Sequence, residues 1–442
     1  MASRRMESRF HLAVQRALLA SISPDDMGNM TTNNIEQTEQ YQAFCRGALA
    51  NLYPLHHRLR AEDPVHWSHT LECWMLTRYA DVLPGLGDVR LSANRMSVFM
   101  KALPEPMRIR HATLGKHFSL FFANMDPPEH TRFRGIVSQS FTPKMVKSLA
   151  PRIQNIVNGL LDELASQGEM DAISDFAYPI PATVIAEMLG IPPADRLNFG
   201  QWSRDLTNFL GASTTTCQEL ADQAQRSLQR LTEYFRGLID GRRSSPQQDL
   251  ISSLIAAEEE GDLLNEEELV ATCNFMLMAG HDTTTNLIGN SILALLNNPD
   301  ELQKLKSDPG LIETAVEEFL RYESPLQRQT RVALDDFEID GRCIRKGQTV
   351  LLLQGAANRD PEQFPEPDRL DIGRQDNKHV AFGAGIHFCL GALLARLEGQ
   401  IAINTIVQRL SNIRLATDNP SWRQNFSFRG LKSLPVRFDK NI

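Results

Sequence analysis

The sequence has no paired cysteines, no long hydrophobic run and no excess of basic residues. Its six cysteines are scattered along 442 residues, which indicates free thiols in a reducing compartment and no disulfide framework. No segment approaches the length of a membrane span. The formal net charge of −8 argues against general affinity for nucleic acid. We therefore expect a cytoplasmic protein with no membrane span and no nucleic-acid partner.

The first 34 residues differ in character from the rest of the chain. Four arginines and a short apolar patch are followed by a polar stretch of Met, Asn and Thr. The apolar patch is too short for the core of a secretory signal, and an amphipathic targeting segment usually carries more arginines. We predict a mobile N-terminal extension over residues 1–34 and a single domain over residues 35–442.

Helical periodicity dominates the middle of the sequence, and the longest predicted helix runs from Asn265 to near Asn298. Asn265 is a good N-cap, and Glu268 completes a capping-box pattern. A second helix is predicted over residues 311–322. The stretch from residue 92 to residue 124 has no clear period, so it is predicted to be a long functional loop. Short strands are predicted near residues 65–67, 74–77 and 348–353. This segregation of helices and strands predicts an α+β domain.

The run from Phe382 to Gly391 reads F-G-A-G-I-H-F-C-L-G. Glycines two residues apart indicate a sharply turning backbone, and helical spacing begins at or near Cys389. A cysteine at a helix N-terminus is biased towards the thiolate form, which is a soft metal ligand. No second cysteine or histidine stands at zinc-site spacing, so one thiolate would suit an iron held by a macrocycle. The alternative is a buried structural cysteine, the commoner fate of a lone Cys.

The same run resembles the haem-binding signature F-G-x-G-x-H-x-C-x-G of the cytochrome P450 family. Three further regions match that family in its order between residues 35 and 438: A-G-H-D-T-T at residues 279–284, E-x-x-R at residues 318–321, and the stretch at residues 364–369. The resemblance implies a mainly α, triangular single-domain fold with small β-sheets. Haem b would lie between the long central helix and the helix that follows the cysteine loop.

The resemblance also assigns roles to individual residues. Cys389 would bind the iron, and His130, Arg134, Arg331 and His387 would contact the haem propionates. The full haem-binding set it implies is His130, Arg134, Ala279, Gly280, Arg331, Phe382, Gly383, His387, Cys389 and Gly391. Gly280 would leave room for oxygen.

Two further sets follow from the resemblance. Asp282 and Thr283 match the acid–alcohol pair that delivers protons during oxygen activation. Glu318, Arg321 and Arg369 would form a buried charge network under the haem. Periodicity alone places the Glu318–Arg321 pair off the apolar face of its helix, so an exposed ion pair worth less than about 1 kcal/mol is the alternative.

The substrate pocket is the feature that the sequence predicts least clearly. The resemblance places its walls in the region before Asn124 and at Phe275, Ala279, Gln327, Gln329 and Ser427, with Phe426 or Ser427 closing it. A mostly apolar pocket with a few polar groups suits a hydrophobic small molecule. Plain core packing is an equally weighted interpretation of each of these residues.

We therefore expect a bacterial-type haem-thiolate monooxygenase that uses O2 and electrons from NAD(P)H for hydroxylation or epoxidation in natural-product or lipid metabolism. The expected partners are a ferredoxin with its reductase, or a flavodoxin, docking near Arg132, Lys378 and His379. The protein is expected to be a monomer. Oxidative coupling or other chemistry without oxygen insertion is the first alternative, and a non-catalytic haem-binding protein is the second.

Overall fold

The computed structural model describes residues 35–47, 50–102, 105–139, 141–211, 218–259 and 264–440. The predicted N-terminal extension lies outside these residues. The helices are α1 (Glu39–Cys45), α2 (Tyr53–Glu62), α3 (Tyr79–Gly87), α4 (Arg95–Ala102), α5 (Glu105–Arg110), α6 (Ala112–Ser119), α7 (Glu129–Gln139), α8 (Pro143–Ser148), α9 (Ala150–Leu164), α10 (Pro179–Met188), α11 (Arg196–Leu210), α12 (Gln218–Ser244), α13 (Leu250–Glu259), α14 (Glu266–Asn297), α15 (Pro299–Ser307), α16 (Ile312–Tyr322), α17 (Gln354–Ala357) and α18 (Ala392–Arg409). Short 3-10 turns cover Phe122–Asn124, Pro193–Asp195, Pro309–Leu311 and Gly385–His387, and a π-helical turn covers Ala172–Ala177.

The strands are short and form small sheets beside this mostly helical framework. They are β1 (Val65–Ser68), β2 (Cys73–Leu76), β3 (Leu91–Ser92), β4 (Glu169–Asp171), β5 (Gln329–Ala333), β6 (Phe337–Ile339), β7 (Arg342–Ile344), β8 (Thr349–Leu352), β9 (Arg414–Leu415), β10 (Ser421–Trp422), β11 (Leu431–Ser433) and β12 (Pro435–Arg437). The largest sheet has five strands in the order β1-β2-β8-β5-β3, and a three-stranded sheet has the order β4-β12-β9. Only the β2–β8 pair of the largest sheet is parallel. The mainly α fold with small sheets is as predicted.

Helix α14 runs through the centre of the fold. Its 32 residues span about 48 Å at 1.5 Å per residue. The capping box is present: the Asn265 side chain accepts from the Glu268 backbone N–H at 3.0 Å, and the Glu268 carboxylate accepts from the Asn265 N–H at 2.9 Å. Most of its residues are buried all around the helix, which is typical of a helix enclosed by a core. The predicted helix is confirmed to within one residue at each end.

Two large hydrophobic clusters pack around α14. One cluster surrounds its C-terminal half and includes Leu287, Ile292, Val316 and Ile403, which brings α16 and α18 against the central helix. The other surrounds its N-terminal half and includes Leu277 with side chains of α6, α11 and α12. Because both halves are fixed by packing, the middle of α14 is held in a defined position between them.

The prediction of one long loop over residues 92–124 is wrong. The structure places α4, α5, α6 and a 3-10 turn there. These helices have six to eight residues, which is too short for a periodic pattern to stand out. Leu114, Phe118 and Phe121 from this stretch are buried in the cluster around the N-terminal half of α14.

Among the described residues, no helix combines the length and apolarity needed to cross a membrane.

Candidate active site

The cysteine loop turns sharply through two glycines with positive φ. Gly383 has φ +73° and Gly385 has φ +65°, values that favour glycine over other residues. A Cβ on Gly385 would also lie 3.0 Å from the Cα of Gly87 in α3, so the two backbones meet closely. The Cys389 N–H donates to the Phe382 carbonyl at 2.9 Å, which closes the loop. Helix α18 begins three residues later at Ala392.

Cys389 is an exposed residue, although protein groups surround its sulfur closely. Burial raises the pKa of the Cys389 thiol, while the Gly391 backbone N–H and the guanidinium groups of Arg134 and Arg396 act in the opposite direction. The backbone N–H that the sequence predicted to favour the thiolate is therefore present, and two arginines not anticipated there add to it, but burial outweighs all three. A bound metal cation would reverse that balance, because a coordinating thiol is deprotonated.

A cluster of three arginines and two histidines faces the cysteine loop. We call Arg95, Arg134, Arg331, His130 and His387 the cationic cluster. The ring centroids of His130 and His387 are 4.2 Å apart. Burial lowers the pKa of His387 to about 3, helped by the nearby arginines and His130. Burial also lowers the pKa values of Arg95 and Arg331 to about 10.

In the described part of the chain, the arginines of the cationic cluster lack ion-pair partners, and Asp126 acts on Arg331 and His130 only through space. None of the three arginines forms an ion pair with a carboxylate within the described ranges. The buried Nε2 of His130 has no hydrogen-bond partner there either. Burying unpaired cations costs free energy, so this arrangement suits an anionic ligand. Arg95 was missed at the sequence level, where the available signal was a single arginine followed by an apolar Met/Phe-rich stretch.

The middle of α14 carries the predicted acid–alcohol pair. Thr283 Oγ1 donates back to the Ala279 carbonyl at 2.9 Å. The Asp282 side chain is only 4% exposed, and its Oδ1 accepts from Arg423 Nη1 at 2.7 Å. Its Oδ2 is buried with no partner in the part of the chain that the structure describes. The ion pair with Arg423 was not anticipated from the sequence, because Arg423 lies about 140 residues away in the chain.

Gly280 has a packing explanation in this structure. A Cβ at Gly280 would lie 2.9 Å from Cγ1 of Ile185 in α10. A side chain there would push α10 away from α14. Close contact between the helices therefore favours glycine here, and the expected role of leaving room for oxygen stays a prediction.

The predicted charge network is present around Glu318, with one change of membership. Glu318 and Arg321 have 0% exposed side chains, and the carboxylate accepts from Arg321 Nε at 2.8 Å and Nη2 at 2.7 Å. Arg374 Nε, Asn377 Nδ2 and the Asp371 N–H also donate to it. The exposed-pair alternative is therefore wrong.

Arg369 does not contribute its side chain to this network, contrary to prediction. Its side chain is 58% exposed and pairs with Glu366 at 2.7 Å. Only its backbone carbonyl takes part, accepting from Arg321 Nη2 at 3.3 Å. Arg374 supplies the second guanidinium instead, 3.1 Å from Glu318. The chain turns between residues 369 and 374, which points the earlier arginine outwards and the later one inwards.

The predicted pocket residues fall into two groups. Phe275 lies in an aromatic group with Phe121 at 5.0 Å and Phe122 at 4.8 Å between ring centroids, as expected for a wall built with the region before Asn124. Gln329 instead accepts from Arg331 Nη2 at 2.7 Å and so supports the cationic cluster.

The second group lies where residues 325–328 meet the C-terminal part of the chain. The Gln327 N–H donates to the Ser427 carbonyl at 2.9 Å, and Arg328 Nη2 donates to Ser427 Oγ at 3.2 Å. The Arg328 guanidinium also lies over the Phe426 ring. The predicted closure by Phe426 or Ser427 stays a prediction, since these contacts are also those of an ordinary core.

The proposed docking residues differ in exposure. Lys378 is 78% exposed, with Asp376 at 3.6 Å. Arg132 pairs with Glu268 at 2.7 Å. His379 is 3% exposed and contacts Glu317 at 3.1 Å, so the expectation that it is available on the surface is wrong.

Comparison with known proteins bears directly on this site. The family model described as Cytochrome P450 matches residues 183–308 and 310–431, together more than half of the chain. This chain belongs to the cytochrome P450 family. Cytochrome P450 107B1 of Saccharopolyspora erythraea is 42% identical over 387 residues, covering 85% of this chain and 92% of that protein. The vitamin D(3) 25-hydroxylase of Pseudonocardia autotrophica is 42% identical over 405 residues, covering 90% and 96%.

Solved cytochrome P450 structures share the fold. The structure of P450BioI in complex with hexadec-9Z-enoic acid ligated acyl carrier protein has a TM-score of 0.82 at 41% identity, covering 88% of this chain and 98% of that one. The myxobacterial cytochrome P450 CYP267B1, solved in complex with myristic acid, has a TM-score of 0.81 at 40% identity, covering 90% and 99%. The chain is accordingly an oxidoreductase, a monooxygenase of a family that uses haem and O2.

The residues present fit a haem. Cys389 offers the soft axial ligand that this family requires. The cationic cluster offers charge-assisted hydrogen bonds to two propionates, and the unpartnered His130 Nε2 can donate a hydrogen bond to such a group. The donor set therefore agrees with the cofactor that the family implies.

Proposed function

We propose that Cys389 is the iron ligand of a haem-thiolate monooxygenase that inserts one oxygen atom into a hydrophobic small molecule. The observation that carries the proposal is Cys389 on a sharply turning glycine loop beside a cluster of arginines without carboxylate ion-pair partners among the described residues. When bound, the haem supplies oxygen activation, and its thiolate ligand favours O–O cleavage. The protein's own groups then bind and orient the substrate, exclude water from the site and move protons.

The cationic cluster anchors the cofactor. Arg95, Arg134 and Arg331 carry permanent charge, whereas burial lowers the pKa values of His130 and His387. The two histidines therefore serve mainly as neutral hydrogen-bonding groups. The three guanidinium groups would bind the propionates of the cofactor through charge-assisted hydrogen bonds. Phe382, Gly383 and Gly391 shape the loop around the sulfur.

Asp282 and Thr283, in the middle of α14, would move protons. The Thr283 hydroxyl is held by the Ala279 carbonyl at 2.9 Å, which fixes its oxygen as an acceptor for a further hydrogen bond. The unpartnered Oδ2 of Asp282 is the atom that takes up a proton from solvent and passes it on. Such a relay matches general acid–base catalysis by positioned side chains.

The substrate is proposed to be a lipid or natural product that undergoes hydroxylation or epoxidation. Two observations support this proposal. Similar proteins are named for vitamin D(3) hydroxylation and for polyketide biosynthesis. Similar proteins were also solved in complex with myristic acid or with an acyl carrier protein that carries a fatty acid. The aromatic group around Phe275 provides an apolar wall that suits such a molecule.

Electrons are proposed to come from NAD(P)H through a ferredoxin and its reductase, or through a flavodoxin. Lys378, an exposed cation near the cysteine loop in sequence with Asp376 at 3.6 Å, is proposed to contact an acidic partner. A cytoplasmic location is proposed from the bacterial relatives and from the free thiols of Cys45, Cys73 and Cys273, which fit a reducing compartment. We also propose one domain over residues 35–442 and a monomeric state.

The ligand assignment is tested by the reduced carbon-monoxide difference spectrum of purified protein. Cys389→Ser should abolish the thiolate-type spectrum, whereas Cys343→Ser, an exposed cysteine of β7, should leave it unchanged. A thiolate-type spectrum in the Cys389→Ser variant would refute the assignment.

The reaction is tested with 18O2, surrogate redox partners, and a panel of fatty acids, sterols and polyketides. Product carrying one 18O atom supports oxygen insertion. Products lacking 18O would instead favour oxidative coupling, the alternative suggested by the similar enzyme CxnD, named for C-S bond formation.

A further inference from the structure

A C-terminal hairpin, residues 421–433, lies along one face of α14. It consists of β10, β11 and the turn between them. Asp282, Asn286 and Asn290 are spaced four residues apart and so share one face of the helix. Asp282 pairs with Arg423, and Asn290 Nδ2 donates to the Arg429 carbonyl at 3.0 Å. A side chain at Gly430 would overlap the Asn286 amide. The hairpin is thus fitted to a polar stripe of the central helix.

Arg423 is held in place by the hairpin itself. Its backbone N–H donates to the Gly430 carbonyl at 3.0 Å. Its guanidinium reaches Asp282 Oδ1 at 2.7 Å, in a part of the protein where both side chains are mostly buried. A charge-assisted hydrogen bond of this length, screened from water, fixes geometry more strongly than a surface pair does.

The ion pair engages only one of the two carboxylate oxygens. Oδ1 is occupied by Arg423, while Oδ2 stays buried without a partner among the described residues. Because the carboxylate is planar, fixing Oδ1 also fixes the direction of Oδ2. Other groups facing this region are Tyr178, His281 and Arg204. Tyr178 and His281 interact with the Asp282 charge through space, but among the described residues none of the three forms a hydrogen bond to its carboxylate. Arg423 is therefore the side chain that orients it.

We propose that Arg423 is a positioning residue for proton delivery: it clamps Oδ1 of Asp282 to the C-terminal hairpin and so presents Oδ2 as the proton-carrying atom. This inference rests on the proposed relay through Asp282 and Thr283. The proton balance is simple, since Oδ2 takes one proton from solvent and passes one on, and the carboxylate returns to its starting state. Arg423 itself neither gains nor loses a proton.

The test compares Arg423→Gln, Arg423→Lys and Arg429→Gln as haem-loaded enzymes with a turned-over substrate. Arg429→Gln is the matched control, because Arg429 lies in the same hairpin but pairs with Glu323. We expect Arg423→Gln to lower product formed per NAD(P)H consumed about tenfold and to increase the solvent deuterium isotope effect. Loss of the opposite charge should also move the acidic limb of the activity profile to higher pH. Arg423→Lys should recover part of the coupling.

The outcomes separate this inference from the relay on which it rests. If Asp282→Asn leaves the coupling of NAD(P)H to product unchanged, the relay fails. If Asp282→Asn lowers coupling while Arg423→Gln leaves coupling, isotope effect and pH profile unchanged, the relay stands and the role of Arg423 is refuted. Equal losses in Arg423→Gln and Arg429→Gln would show that the hairpin matters only as packing, which also refutes it.

Discussion

Glu398 is a buried carboxyl group that should make the stability of this protein fall as pH rises. It lies in α18 and is almost completely buried, with the Thr284 hydroxyl of α14 as a hydrogen-bond partner. Its Oε2 has no partner among the described residues. Burial raises the pKa of Glu398 from 4.5 to about 8, and the bond from Thr284 opposes this only in part.

The sign and size of the effect follow from linkage. Between pH 4.5 and pH 8 the folded protein keeps a proton on Glu398 that the unfolded chain has released, so the free energy of unfolding decreases as pH rises. Below the unfolded-state pKa of 4.5 the titration of Glu398 does not affect the free energy of unfolding. Above the folded-state pKa of about 8 the loss is complete. The two pKa values correspond to a loss of about 5 kcal/mol, an upper bound because local opening can relieve it.

Glu398→Gln removes the titration while keeping a neutral group of similar shape. We expect the variant and the parent to unfold at similar urea concentrations near pH 5. The variant should become more stable than the parent by several kcal/mol near pH 8.5. Glu163→Gln, an exposed substitution in α9, is the control and should follow the parent at every pH. Parallel stability profiles for Glu398→Gln and the parent would refute the reasoning.

Three further predictions concern the site. Glu318→Ala should destabilise the protein by about 3–5 kcal/mol, because it leaves Arg321 buried and unpaired; haem content and unfolding free energy measure this, and Arg369→Ala should cost less than about 1 kcal/mol. Arg95→Gln should accelerate haem transfer to apomyoglobin several-fold, since one propionate partner is lost, and an unchanged rate would remove Arg95 from the cationic cluster. Thr283→Ala should raise hydrogen peroxide released per NAD(P)H consumed at the expense of product, whereas unchanged coupling would contradict its assigned role.

Local signals predicted the framework of the site well. The capping box of α14 and the proline that follows it predict its boundaries. Neither signal depends on distant residues. The turns of the cysteine loop are likewise set by Gly383 and Gly385, whose positive φ values leave little choice of residue. Such features can be read from sequence because the interactions that create them span only a few residues.

Contacts between distant segments determine the features of the site that local sequence patterns do not predict. The apolar face of α16 excludes Glu318, yet the segment at residues 358–377 folds over that side of the helix and buries it. Which arginine of that segment reaches Glu318 depends on a turn between Arg369 and Arg374, and periodicity contains no information about it. The Asp282–Arg423 pair joins two segments 141 residues apart, so only the folded chain reveals it.

The C-terminal hairpin also limits how this enzyme can be engineered. Its turn meets the segment around Gln327 through Ser427, and its Phe426 N–H donates to the Gly211 carbonyl at the end of α11 at 2.8 Å. A few residues away, Arg423 holds Asp282. Directed evolution for new substrates that alters this turn is therefore expected to change the coupling of NAD(P)H consumption to product together with the substrate range. Libraries that leave residues 421–424 intact should yield better-coupled variants than libraries that randomise the whole hairpin.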